Sequence, residues 1–125
     1  MIVIDSSALL AFLLREPGHE IVTAQLAQAS MSTVNFSEVL ARMSRENIAP
    51  RTLGPKLLEL GLTLVEFDPP QAVIASEIRE SAQTHGIAMA GCCCIALAMH
   101  QAMPVLTADR AWTSLGFDVD VQLIR

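Results

Sequence analysis

Short apolar runs alternate with longer helical patterns along this chain. Ile2-Val3-Ile4 is apolar at every position, as expected of a central parallel strand covered on both faces, and it stops at Asp5-Ser6-Ser7. Ala8 to Leu14 then reads as a helix ended by Pro17-Gly18, and Glu20 to Ala29 as a second helix. Met31 to Val34 predicts a short strand. Asn35-Phe36-Ser37-Glu38 opens a helix running to about Asn47, and Pro55 to Leu60 predicts another before Gly61. Leu62 to Phe67 reads as a strand. Asp68-Pro69-Pro70 is a helix start, a capping carboxylate before proline, and Gly86 stops that helix near His85. Ala90 to Met103 is apolar around almost its whole circumference and predicts a buried central helix ended by Pro104. Val105-Leu106-Thr107 is a further strand, Asp109 starts a brief helix containing Trp112, and Val119 to Ile124 predicts an edge strand. Strands alternating with helices imply an α/β fold, a mostly parallel sheet with helices on both sides. No repeat, linker or low-complexity segment divides residues 1–125, so a single domain is expected.

Composition narrows the function classes. Hydrophobic residues make up 52% of the chain, yet no apolar run reaches the roughly 18 residues of a membrane span. No basic, apolar leader precedes Ile2, so no secretory signal is expected and the predicted location is the cytoplasm. The surplus apolar surface then goes to a dense core and to a protein partner. The net charge of -5 argues against a nonspecific basic grip on nucleic acid. It leaves room for a nuclease whose acids hold a cation. Cys92, Cys93 and Cys94 point about 100° apart on a helix and cannot converge on one zinc; they read as small buried side chains in a reducing compartment.

Ligands of open parallel sheets bind beyond the carboxyl ends of the strands. Asp5 follows the first strand directly, Asp109 lies two residues past Thr107, and Glu38 falls in the first turn of the helix after the second strand. Three acids from distant parts of the chain are thus expected at one sheet edge, where Mg²⁺ or Mn²⁺ is the usual compensation for clustered carboxylates. Such a cation orients water and stabilises charge on a phosphate. Each acid has a second reading. Asp5 and Asp109 suit helix caps, and Glu38 suits a capping box with Asn35 or an ion pair with Arg42. Thr107 is placed to orient a carboxylate or water, or is a plain strand threonine. Arg15, Arg42 and Arg45 suit phosphate contacts and solvated helix faces equally. His19, His85 and His100 show no metal-ligand spacing and read as surface or helix-end residues.

These segments resemble a known family. Met1-Ile2-Val3-Ile4-Asp5-Ser6-Ser7-Ala8-Leu9-Leu10 is similar to the opening of PIN-domain proteins, in particular VapC-type toxins. Ser32-Thr33-Val34-Asn35-Phe36-Ser37-Glu38-Val39 resembles the segment carrying that family's glutamate. Pro104-Val105-Leu106-Thr107-Ala108-Asp109-Arg110-Ala111-Trp112 resembles its C-terminal acidic motif, and Ile95-Ala96-Leu97-Ala98 the helix before it. The likeness runs end to end in the same order. It implies a Rossmann-like three-layer PIN fold with four or five mostly parallel strands. It implies Mg²⁺- or Mn²⁺-dependent endoribonuclease activity at Asp5, Glu38 and Asp109, with Ser6 and Thr107 in support. It also implies a homodimer and neutralisation by a cognate VapB-type antitoxin.

One position departs from the family pattern. Where the resemblance expects an aspartate at the start of the central helix, the chain has Gly91, and Ala90, Cys92 and Cys93 offer no substitute oxygen. The fold is expected to tolerate this and the nuclease chemistry to suffer. The alternative is a catalytically inactive PIN-domain module that titrates antitoxin or binds RNA. A nucleotide-binding domain of flavodoxin or receiver type is disfavoured by the lack of a Gly-rich phosphate loop after the first strand.

Overall fold

In the computed structural model, which describes residues 1–125, the three residues of strand β1 (Ile2–Ile4) are all buried, as a strand covered on both faces requires. Helix α1 (Ser6–Leu14) follows, capped by the Asp5 carboxylate, which accepts from the Ala8 amide. Arg15, in the left-handed region, closes it. Gly18 turns the chain into α2 (His19–Gln25) with φ 94°; a Cβ there would lie 2.3 Å from the Ile124 carbonyl oxygen, so both the conformation and the space demand glycine. A 3₁₀ turn (Leu26–Gln28) leads into β2 (Ala29–Ser32). Then come α3 (Thr33–Ser44), α4 (Pro50–Glu59), β3 (Thr63–Val65), α5 (Pro69–Thr84), α6 (Met89–Gln101), β4 (Val105–Thr107), a 3₁₀ turn (Arg110–Ser114) and β5 (Val121–Leu123).

The five strands form one sheet in the order β3-β2-β1-β4-β5, every pair parallel. This is the expected α/β architecture. Ile2, Ile4 and Leu106 pack with α1 to α4 on one face; Val3 and Val105 pack with α5 and α6 on the other. Successive side chains point to opposite faces of a strand, so each central strand serves both cores. Chain connections diverge on either side of β1, to β2 one way and to β4 the other. The crevice outside the carboxyl ends of β1 and β4 is therefore the place where such a sheet accepts a ligand.

Several expected boundaries move. Ala29 begins a strand rather than ending a helix, because it is buried in register with Ile2. Thr33 and Val34 open α3 instead of closing β2: the Ser32 hydroxyl accepts from the Val34 amide, and this cap outweighs β-branched preference. Glu38 consequently sits in the second turn of its helix, not the first, and Asn35 is no cap. The helix expected from Pro55 begins at Pro50, whose missing N–H costs nothing at a first helical position, while Pro55 lies within it. The last strand is shorter than expected, Val121–Leu123. Helices α5 and α6 and strand β4 fall close to the expected places, and no helix is long and apolar enough to cross a membrane.

Candidate active site

Asp5 emerges from the C-terminal end of β1 and is 5% exposed. Three groups donate to its carboxylate: the Thr107 hydroxyl to Oδ2 at 2.6 Å, the Ser7 hydroxyl at 2.7 Å to Oδ1, and the Ala8 amide to Oδ1 at 2.8 Å. Burial pushes its pKa up, the hydrogen bonds from Thr107, Ala8 and Ser7 pull it down, and the negative charge of Asp109 adds to the rise. The net shift is upward, so burial makes ionisation of Asp5 costlier here than in water.

Thr107, at the end of β4 and fully buried, links the two aspartates. Its hydroxyl donates to Asp5 and accepts from the Asp109 amide at 3.0 Å. Ser7 reinforces the join, accepting from the Ala108 amide at 2.9 Å. Asp109 caps the following 3₁₀ turn through Oδ1, which accepts from the Ala111 amide at 3.0 Å. Both capping readings are therefore real for Asp5 and Asp109. They leave the Oδ2 of Asp109 without an intramolecular partner.

Glu38 approaches from α3. The Ser6 hydroxyl and the Asn35 amide, the latter at 3.2 Å, both donate to its Oε1. The same amide reaches the Ala90 carbonyl in α6 at 2.9 Å, tying α3 to α6 behind the site. Neither alternative reading of Glu38 is found: Arg42 pairs with Glu46 at 2.8 Å instead. Sequence reasoning singled out Ser6 and Thr107 but missed Ser7 and Asn35. The only signal for Ser7 was its place two residues after Asp5, in the first turn of the helix that Asp5 caps.

Asp5, Glu38 and Asp109 line one cleft of about 240 Å³, together with Ser6, Ser7, Gly86, Ile87, Ala88, Gly91 and Trp112. No Lys or Arg is among them. Gly91 is the third residue of α6, whose N-cap position is Ala88 and which has no side-chain cap. A Cβ at Gly91 would stand 2.6 Å from the Ile87 Cγ2 methyl and 3.4 Å from Trp112 Cζ2. Ile87 is buried and held at both ends of its peptide unit: its amide donates to the Ala82 carbonyl, and its carbonyl accepts from Arg79. The space a side chain at position 91 needs is thus occupied by the methyl group of a residue whose backbone is hydrogen-bonded in place.

The donors suit a hard divalent cation in kind, being carboxylate oxygens with acceptor capacity left over on Glu38 and Asp109. They do not enclose one: no group of three or more Asp, Glu, His or Cys side chains is close enough to hold a metal ion. The fit is that of an open site, since Mg²⁺ commonly takes one or two carboxylates and keeps several waters. The cysteines stand apart from this chemistry. All three are buried and unpaired, and burial raises each thiol, most strongly Cys94, where Asp5 and Glu38 add to the rise. His19 pairs with Glu20, His85 bonds the Ser81 carbonyl at the end of α5, and His100 lies in the last turn of α6. None of them lines the cleft.

Comparison with known proteins agrees with this architecture. The FitAcB structure from Neisseria gonorrhoeae matches at 28% identity and a TM-score of 0.71, over 97% of this chain and 96% of the other. A toxin–antitoxin complex from Klebsiella pneumoniae shares the fold at 12% identity and a TM-score of 0.77, covering 100% and 98% of the two chains. DNA-bound VapBC from Salmonella typhimurium shares it at 15% identity and a TM-score of 0.73, over the full length of both. No curated protein sequence matches significantly. The PIN domain model matches residues 2–118, nearly the whole chain, and the protein therefore belongs to the PIN domain family.

Proposed function

We propose that this protein is the toxin of a VapBC-type toxin–antitoxin pair, a divalent-metal-dependent endoribonuclease in architecture whose activity is weakened at Gly91. The observation that carries the catalytic part is the cleft itself. Asp5, Glu38 and Asp109 arrive from three separate elements, line one crevice at the switch point of the sheet, and meet no cationic side chain there. One or two of Asp5, Glu38 and Asp109, with waters completing the shell, would hold Mg²⁺ or Mn²⁺. A cation so held offsets the carboxylate charge and the charge that develops on a phosphodiester during hydrolysis. Thr107 and Ser7 fix the Asp5 carboxylate, while Ser6 and Asn35 fix Glu38, so that the acids need not reorganise when substrate arrives.

Support for the partner comes from the company the fold keeps, since the Klebsiella relative is a toxin–antitoxin complex. The apolar content and the exposed Ile21, Leu58, Leu60 and Val73 suit a chain that works bound to an antitoxin and to a second copy of itself in the cytoplasm. The test is cleavage of single-stranded RNA with Mn²⁺ or Mg²⁺ by the parent, Asp5→Asn and Asp109→Asn. Metal-dependent cutting by the parent that both variants lose supports the reading; equal cutting by all three overturns it.

The packing of Ile87 against Gly91 favours a second reading, a non-catalytic module that retains the antitoxin and RNA surfaces. Gly91→Asp discriminates. If it cuts RNA better than the parent, the weakened-nuclease reading stands. If neither chain cuts while both bind a VapB-type antitoxin, the module reading stands.

A further inference from the structure

A second groove of about 430 Å³ adjoins the acidic cleft and shares Ser6 and Glu38 with it. Its remaining walls are Leu10, Ala41, Arg42 and Arg45, the last two from the final turn of α3 and its C-cap. In a chain of net charge -5 with only eight Lys and Arg residues, two arginines beside a cleft lined by acids concentrate positive charge there, set against Glu38 in the same groove and Glu46, which pairs with Arg42. Arg42 is held in place by Glu46, whereas Arg45 is exposed and takes part in no ion pair. From this juxtaposition we infer that the groove carries the phosphodiester backbone of single-stranded RNA, with Arg42 and Arg45 contacting phosphates beside the one seated at Asp5, Glu38 and Asp109. The inference rests on the ribonuclease reading for the seating of that phosphate, and it adds the direction in which the strand leaves the cleft.

The chemistry matches the occupant. Guanidinium groups bind phosphate oxygens through paired N–H donors. The acidic cleft alone repels a polyanion, so a cation in the cleft and arginines beside it are both needed for a strand to lie across it. Arginines near a helix C-terminus also complement the helix dipole. That role acts on stability and leaves no trace in the salt dependence of RNA binding.

The test is fluorescence anisotropy with a short single-stranded oligoribonucleotide in Ca²⁺, between about 50 and 200 mM salt. Each phosphate neutralised on a single strand contributes about 0.7 to the slope of log K against log salt. Arg42→Gln/Arg45→Gln is expected to bind about 10-fold more weakly and to flatten the slope by about 1.4. Arg51→Gln, on α4 and outside both grooves, should match the parent. Glu46→Gln, which releases Arg42, should bind a few-fold tighter than Glu59→Gln, which removes the same charge from α4. Melting curves check that each variant is folded. An unchanged slope in the double variant, or no RNA binding by the parent, overturns the groove. Loss of binding to a polyglutamate peptide with RNA binding intact assigns it to an acidic protein segment and also overturns it. Should the slope flatten as expected while the parent cuts no RNA with Mn²⁺, the groove stands and the cleavage reading falls. If the parent and double variant cut alike with the same slope, the reverse holds.

Discussion

The two walls of the acidic cleft are built on opposite principles. The wall formed by the ends of β1 and β4 and the start of α1 is polar and crosslinked: Asp5, Ser7, Thr107 and the Asp109 amide share a continuous set of hydrogen bonds. The wall formed by the start of α6 and the loop before it presents Ile87, Ala88 and Gly91, backed by Trp112, and none of these side chains ligates a metal. Such a cleft holds negative charge on one side and offers it nothing on the other. A cation there is expected to be bound from one side and hydrated on the other, and its affinity should be correspondingly low.

Removing an acid from the polar wall is the largest perturbation available. Asp109→Asn keeps the capping acceptor for the Ala111 amide but removes the charge, so folding should survive while metal-dependent cleavage falls about 10³-fold or more, the scale of several kcal/mol of lost charge stabilisation. Gel-based cleavage assays read this directly, and retention of activity would mean that the polar wall is a folding device only. Building up the apolar wall should act in the opposite direction. Gly91→Asp alone drives its Cβ against the Ile87 methyl, and overpacking of this kind costs about 1–3 kcal/mol and several degrees in Tm. Ile87→Leu moves the branch away from Cβ at similar volume. The pair Gly91→Asp/Ile87→Leu should recover the stability and raise Mn²⁺ affinity about 10-fold or more over the parent, measured by calorimetry. If the double variant binds Mn²⁺ no better, the apolar wall is not what limits the site.

The difference between the walls also explains what could be read in the sequence. The shared edge of Asp5, Glu38 and Asp109 was legible because Asp5 and Asp109 lie just beyond strands and Glu38 lies early in the helix after one, and parallel α/β topology sends such positions to one edge. The order of the elements was visible for the same reason: apolar runs and caps are local signals. Ser7 was not, because two adjacent serines differ only in which side of the first helical turn faces the sheet, and the fold sends Ser6 to Glu38 and Ser7 to Asp5. Nor was Ile87, a single apolar loop residue whose significance lies entirely in its contact with position 91. The boundaries at Ala29, Thr33 and Val34 failed where a cap or a strand partner overrode the preference of the residue itself.

Within the polar wall, Thr107 is the one side chain bonded to both aspartates, with Ser7 in support. Thr107→Val preserves shape and removes the hydroxyl, leaving Asp5 Oδ2 without its 2.6 Å donor and the Asp109 amide without its acceptor. A hydrogen bond to a buried charge is worth about 1.5–3 kcal/mol, so Tm should fall by several degrees, with metal-dependent activity reduced about 10–100-fold. A variant as stable and active as the parent would show that Ser7 and the Ala8 amide suffice.

The smallest expected effect is the most diagnostic, because it asks whether the polar wall is strained by its own charge. Asp5 has a pKa raised chiefly by burial, so the fold favours its protonated form. The stability contributed by that proton is fully present below the ordinary value of 3.8 and is lost as pH rises through the higher folded-state pKa. Asp5→Asn imitates the protonated acid at every pH. Without metal it should melt a few degrees above the parent at neutral pH, and the gap should close as pH falls toward 3.8. Adding Mn²⁺ should close the gap from the other side, by stabilising only the parent, as binding to the folded state alone requires. A parent that melts above Asp5→Asn at neutral pH without metal would show that Thr107, Ser7 and the Ala8 amide outweigh burial, and that the polar wall is complete without a cation.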